Sequence, residues 1–236
     1  MATVIPKELS HIWIGPRKAP LDWMNTWVEK HPDWNYTLYD NEYLKSHEFR
    51  TRRQIDEYMK RGQYAGAADL MRYEILYEVG GYMPGADSIC LRAIDEILDD
   101  GHSIYTVFEN EFIRGSLVSP IVASVPGHPF VKMLIDVLAE VPPELLHEPW
   151  VQTGNLFVAE MIEKHAPDIM IWPSHFLIPE HYTGRKYTGD GPVYAHQLFG
   201  ETTKGYARGS LIDRLRHRLK RRYARKAHKR RRQMIG

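Results

Sequence analysis

Residues 65–95 read AGAADLMRYEILYEVGGYMPGADSICLRAID, and the rest of the chain can be ordered around them. Leu70, Met71, Ile75, Leu76 and Val79 recur at the spacing of one buried helix face, while Asp69, Arg72 and Glu74 mark polar positions on the same turns. The pattern predicts an amphipathic helix that stops at Gly80 and Gly81, since helices commonly end on glycine. Tyr82 and Met83 then read as a short buried strand, Pro84-Gly85-Ala86-Asp87 as a turn, and a second helix is predicted from Leu91.

Asp69 and Arg72 lie three residues apart and therefore share a helix face, with Asp87 one short loop away. A guanidinium, a carboxylate at helix spacing and a second carboxylate on a glycine turn can together hold a polyhydroxylated, phosphorylated ligand and a divalent metal. The structural alternative is a surface ion pair and a turn aspartate, and spacing alone favours it.

The run Ala65-x-x-Ala68-Asp69-x-x-Arg72-Tyr73-x-x-Leu76-Tyr77-x-x-Gly80-Gly81, closed by Asp87, resembles the sugar-binding region of the DXD glycosyltransferases. That group includes fungal initiating mannosyltransferases, bacterial capsular-polysaccharide transferases and, more remotely, clostridial glucosylating toxins. Its pattern runs A-x-x-S-D-x-x-R-Y-x-x-L-Y-x-x-G-G-x-Y-x-D-x-D. The chain departs from it at the first Asp of D-x-D, which falls on Gly85, so the turn reads Gly85-Ala86-Asp87 and keeps one carboxylate.

Upstream, Ile5-Pro6-Lys7 leads into LSHIWIG over residues 9–15, a strand pattern ending on glycine. It resembles the opening I-P-K-x-I-H-x-I-W-I-G of the same group. The resemblance implies that Trp13 and the backbone around Ile14 and Gly15 contact the base of a nucleotide sugar; an aromatic ring stacks on a base for roughly 1–3 kcal/mol. Trp13 as a core residue is the alternative. Residues 20–31 read as a helix with Leu21, Met24, Trp27 and Val28 on one face, and residues 34–39 as a strand, the start of an α/β nucleotide-binding sheet. Residues 41–60 are polar and mostly helical.

Downstream, residues 103–108 and 117–124 read as strands, and Pro126-Gly127-His128-Pro129-Phe130 as a turn into a helix over 130–139, with His128 contacting the helix N-terminus. The P-G-H-P-F run matches the group closely. Thr153-Gly154 resembles its T-G-P segment beside the donor sugar, with Asn155 in place of proline; Ile171-Trp172-Pro173 to Ile178-Pro179 matches a late strand pair. Tyr194-Ala195-His196-Gln197 resembles Y-x-x-H-H-W, which implies that His196 completes a metal shell or touches the diphosphate. A solvated histidine is the alternative.

At 236 residues and 43% hydrophobic content the chain supports one sizeable core. The single cysteine, Cys90, excludes an internal disulfide and a Cys-rich zinc site and fits a reducing, cytoplasmic compartment. No signal-peptide pattern opens the sequence and no run approaches a membrane span, so a soluble protein, or one peripheral on the cytoplasmic face of a membrane, is expected. The net charge of +1 conceals a division. Residues 204–236 carry fourteen Lys or Arg against Asp213 alone, a net +13, and the seventeen bases and twenty-nine acids before them give −12. Leu211, Ile212, Leu215, Leu219 and Tyr223 recur at helical spacing among those bases, so residues 208–232 read as a basic amphipathic helix suited to an anionic membrane surface in preference to nucleic acid; an acidic partner also fits.

These readings combine into one expectation: an α/β, GT-A-like domain over residues 1–203, with a Rossmann-like mixed sheet flanked by helices, then a basic tail over 204–236. The resemblance implies a retaining transfer of a sugar from a UDP- or GDP-sugar to a hydroxyl of a glycan or protein. It implies that Asp69 and Arg72 hydrogen-bond the sugar, that Gly85 and Ala86 line the donor, and that Asp87 ligates Mn²⁺ or Mg²⁺ with help from His196. Loss of the first carboxylate leaves a catalytically silent nucleotide-sugar-binding protein as the competing reading, and the tail alone supports a nucleic-acid binder.

Overall fold

The computed structural model describes residues 5–114 and 116–200, and the basic segment 208–232 lies outside them. The chain divides into two units, Met1–Gln197 and Leu198–Gly236, and the first carries the fold that follows.

Strand β1 (Glu8–Ile12) leads through α1 (Leu21–Lys30), which buries Met24 and Trp27, to β2 (Asn35–Tyr39). The two strands pair in parallel from Glu8 against Asn35 to Ile12 against Tyr39. Asp40 then caps α2 (Asn41–Ser46), its Oδ1 accepting from the backbone N–H of Glu42 and Tyr43 at 2.9 and 3.1 Å. The polar run 41–60 thus contains two helices, the second being α3 (Arg52–Lys60).

The central helix α4 (Tyr64–Glu78) is less amphipathic than its sequence suggests. Gly66, Ala67, Leu70, Met71, Tyr73, Glu74, Ile75 and Leu76 are all buried, whereas Val79, expected on the buried face, is exposed. The reason is its place in the fold, between β1 and β6 (Ala123–Ser124) on one side and α3 and α7 (Pro129–Ala139) on the other. Glu74 is accommodated because it accepts from the N–H of Arg50 and Thr51 at 2.7 and 2.9 Å and from the Thr51 hydroxyl at 2.5 Å, satisfying the entry to α3.

After α4 the chain turns at Gly80 into β3 (Gly81–Tyr82). Gly81 has φ +95°, and a Cβ there would lie 2.2 Å from the Glu8 carbonyl oxygen, so only glycine lets β3 approach β1. Residues 88–90 form β4 (Ser88–Cys90), and the helix predicted from Leu91 begins only at Asp95, as the single turn α5 (Asp95–Leu98). Pairing with β8 (Ala195–Gln197), about a hundred residues on, captures this segment, and the N–H groups of Leu91 and Arg92 both donate to the Tyr194 carbonyl. Local periodicity carries no trace of so distant a partner.

Strand β5 (Ile104–Val107) precedes α6 (Glu111–Arg114). The strand expected over residues 117–124 shrinks to β6, with an isolated bridge from Val118 to Phe108. Pro120 interrupts it, having no N–H for the ladder. His128 caps α7 through Nδ1, which accepts from the Phe130 N–H at 3.2 Å. Helices α8 (Pro149–Gln152) and α9 (Asn155–His165) precede β7 (Met170–Trp172). No second strand accompanies β7 at residues 178–179; Ser174–Phe176 winds into a 3₁₀ turn after Pro173.

The six-stranded sheet has the order β2-β1-β3-β6-β5-β7, a mixed sheet in which β6 alone runs against its neighbours, and β4 and β8 form a separate ribbon. Among the described residues no helix is long and apolar enough to cross a membrane.

Candidate active site

Because β1, β2, β3, β5 and β7 share one direction, their carboxyl ends lie along one edge of the sheet. From β1 the chain departs to β2 on one side and to β3 on the other, which opens a crevice where ligands of open α/β sheets bind. Three segments emerge at that edge: residues 13–15 after β1, residues 83–87 after β3, and residues 108–110 after β5.

The first is pinned by Asn41, whose Oδ1 accepts from the Gly15 N–H and whose Nδ2 donates to the Gly15 carbonyl, both at 2.9 Å. Trp13 is half-buried, with Nε1 donating to the Arg17 carbonyl at 2.7 Å. A recess of about 540 Å³ borders this loop, walled in part by Gly15, Pro16, Asn41, Lys45, Arg52 and Tyr64. Tyr64 opens α4, five residues or about 7.5 Å of helix before Asp69.

Asp69 and Arg72 are half-buried, and the protein packed around them strips most of their solvation. The Asp69 Oδ2 accepts from the Thr153 hydroxyl at 2.9 Å, and a Cβ at Gly154 would stand 3.2 Å from the same oxygen. Gly154 therefore lets the start of α9 close upon the carboxylate. The Tyr73 hydroxyl in turn donates to the Thr153 carbonyl at 2.5 Å. Burial pushes the Asp69 carboxyl up to about 7, with Arg72 and Thr153 acting in the opposite direction. Near neutral pH this group can both donate to and accept from a sugar hydroxyl.

Arg72 Nη1 donates to the Met83 carbonyl and, at 3.3 Å, to the Ile121 carbonyl, so the guanidinium fastens α4 to the start of the 83–87 turn. Beneath it His11 is fully buried, with Nδ1 3.2 Å from the Tyr36 hydroxyl. Burial first and Arg72 second push its imidazole down to about 3, which keeps it neutral.

The turn is held from inside by Ser88, whose N–H and hydroxyl both reach the Gly85 carbonyl, at 3.1 and 2.7 Å, while Trp27 Nε1 donates to the Ser88 hydroxyl at 3.0 Å. Gly85, Ala86 and Asp87 are half-buried. Asp87 Oδ1 accepts from Gln197 Nε2 at 2.5 Å. His196 pairs across the ribbon with Ile89, on the opposite face from Gln197. Counting along Y-x-x-H from Tyr194 places the first histidine of that pattern on Gln197, so the signal for this contact was present in the spacing. Among the described residues no group of three or more His, Cys, Asp or Glu is arranged to hold a metal ion. The turn offers one carboxylate whose oxygen already receives an amide N–H, a donor set that does not fit a resident divalent cation.

A further cluster had no counterpart in the sequence reading. Glu109, just past β5, accepts from Asn155 Nδ2 and lies against His181 Nε2, both at 3.0 Å, with His181 Nδ1 2.8 Å from the Thr183 hydroxyl. Glu109 and His181 are buried. Asn155 thereby ties the start of α9, and with it Thr153, to the sheet edge.

The architecture is that of a mixed α/β, GT-A-like protein. It is shared with the solved structure titled PaToxG Glycosyltransferase at a TM-score of 0.57 and 16% identity, over 70% of this chain and 71% of that one. Residues 20–104, the span from α1 to the start of β5, match the model of the glycosyltransferase sugar-binding region containing DXD motif. Inositol phosphoceramide mannosyltransferase 3 of Schizosaccharomyces pombe is 26% identical over 187 residues, 74% of this chain and 48% of that protein. Inositol phosphoceramide mannosyltransferase 2 of the same yeast is 25% identical over 153 residues, 57% and 39% respectively. The chain thus spans about half the length of these relatives or less. Over this span the chain is therefore similar to DXD-type glycosyltransferases.

Proposed function

We propose that the protein transfers a glycosyl group from a nucleoside-diphosphate sugar to an acceptor hydroxyl, with the donor in the crevice at the carboxyl ends of β1 and β3. The observation that carries this is Asp69: a half-buried carboxyl, held by Thr153 and the start of α9, and poised near neutrality to hydrogen-bond a sugar hydroxyl. Arg72 stands beside it as a fixed cation at the root of the 83–87 turn. Preorganised donors and charge facing a developing oxocarbenium centre and a departing diphosphate are what such a transfer requires. Trp13 and the recess beside Gly15 suit the nucleotide.

The acceptor is a glycan, protein or other polyol, and the names of the two yeast relatives make a GDP-mannose donor and an inositol-bearing lipid headgroup the first pair to test. Retention of anomeric configuration is the outcome the family resemblance implies, and NMR of the first-formed product reads it directly. A donor screen by calorimetry over UDP- and GDP-sugars, followed by turnover with Asp69→Asn and Arg72→Ala, tests the assignment. Binding of no nucleotide sugar at all would remove it. Gly85 and Gln197 favour one second reading, a nucleotide-sugar-binding protein without turnover. Donor binding to the native chain with no hydrolysis or transfer under any condition would select it.

A further inference from the structure

We infer that the 84–87 turn works without a divalent cation, and that Gly85 and Gln197 form one coupled substitution that replaces it. A Cβ on Gly85 would lie 2.9 Å from Gln197 Oε1 and 3.2 Å from Asp87 Oδ1. A side chain at position 85 would therefore have to move the end of the Gln197 amide away from its contact with Asp87. The lost first carboxylate and the altered histidine position meet in one contact, although they are more than a hundred residues apart in sequence.

The chemistry of that contact points the same way. The amide offers Asp87 an N–H, the partial positive charge an ion would otherwise supply, in a charge-assisted hydrogen bond. A hard cation seeking Oδ1 would have to break this bond and meet the amide hydrogens head on. His196 faces away, opposite Ile89. The shape of the turn needs no ion, because Ser88 closes it from within and Arg72 ties the Met83 carbonyl just before it to α4. Charge on a bound diphosphate is then met by N–H groups and cations of the chain itself; this consequence rests on the donor assignment above, whereas the absence of a resident cation does not.

Electron paramagnetic resonance of Mn²⁺ added to the full chain, alone and with UDP or GDP, separates the two. The native protein should leave the aqueous Mn²⁺ signal as nucleotide alone leaves it, while the double variant Gly85→Asp with Gln197→His should quench it with at least about tenfold tighter binding. The near-isosteric Gln197→Glu, which sets a second carboxylate beside Asp87 without touching the turn backbone, should gain Mn²⁺ in the same direction. Calorimetric donor affinity of the native chain should agree within about twofold between EDTA and millimolar Mn²⁺. Quenching by the native chain equal to that of the variants, or a donor affinity about tenfold weaker in EDTA, overturns the inference. If no nucleotide sugar binds in either medium, the glycosyl-transfer reading falls, and the Mn²⁺ signal of the chain alone still decides the cation question.

Discussion

Asp69 is the group on which the proposed reaction turns, and its own titration can be tested directly. Its carboxyl holds a proton to about pH 7 in the folded chain, against about 3.9 when unfolded. The native state therefore binds the extra proton between those values, and the stability this contributes is present below about pH 4 and lost as pH rises through about 7. Urea unfolding of native and Asp69→Asn proteins should show the variant gaining relative to the native chain across that window and holding a constant difference above it. A parallel pair of curves would mean the carboxyl is ordinary. Arg72→Lys keeps the charge but cannot serve two carbonyls and a ligand from one planar fork. Donor turnover should fall at least about tenfold in that variant, as kcat/KM reports.

Among the elements, α9 acts on the site through its first residues. Thr153→Val preserves shape but removes the hydroxyl that donates to Asp69, a loss of about 1–2 kcal/mol in unfolding free energy. The apparent pKa of Asp69 should rise further, since Thr153 holds it down; carboxyl titration by NMR reads that shift. The contact between β3 and β1 is less forgiving. Gly81→Ala drives a methyl into the Glu8 carbonyl at a backbone conformation that disfavours side chains, and a loss of more than about 3 kcal/mol is expected by chemical denaturation. Element boundaries were legible where a local signal existed: Asp40 and His128 announce α2 and α7, and Gly80 ends α4. They were illegible at residues 91–94, where hydrogen bonds to the distant Tyr194 carbonyl delay the helix expected from Leu91, and at 117–122, where a proline spoils a promising strand.

For the whole molecule, the division of charge separates a body of net −12 from a tail of net +13. If the tail serves an anionic membrane, deletion of residues 204–236 should abolish flotation with anionic liposomes and leave donor affinity unchanged. Unchanged flotation would dismiss the membrane role.

The order of apolar and polar residues was enough to set the α/β class and the central helix, because helix period, glycine stops and turn chemistry act over a few residues; Asp69, Arg72 and Asp87 were singled out by their resemblance to a known sugar-binding region, since spacing alone favoured an ion pair and a turn aspartate. Only the tertiary structure decided what those groups touch. Thr153 comes to Asp69 from 84 residues away and Gln197 to Asp87 from 110, and Glu109 meets His181 across 72. Contacts of that reach are selected by the packing of the entire sheet, which helix period and turn chemistry do not specify.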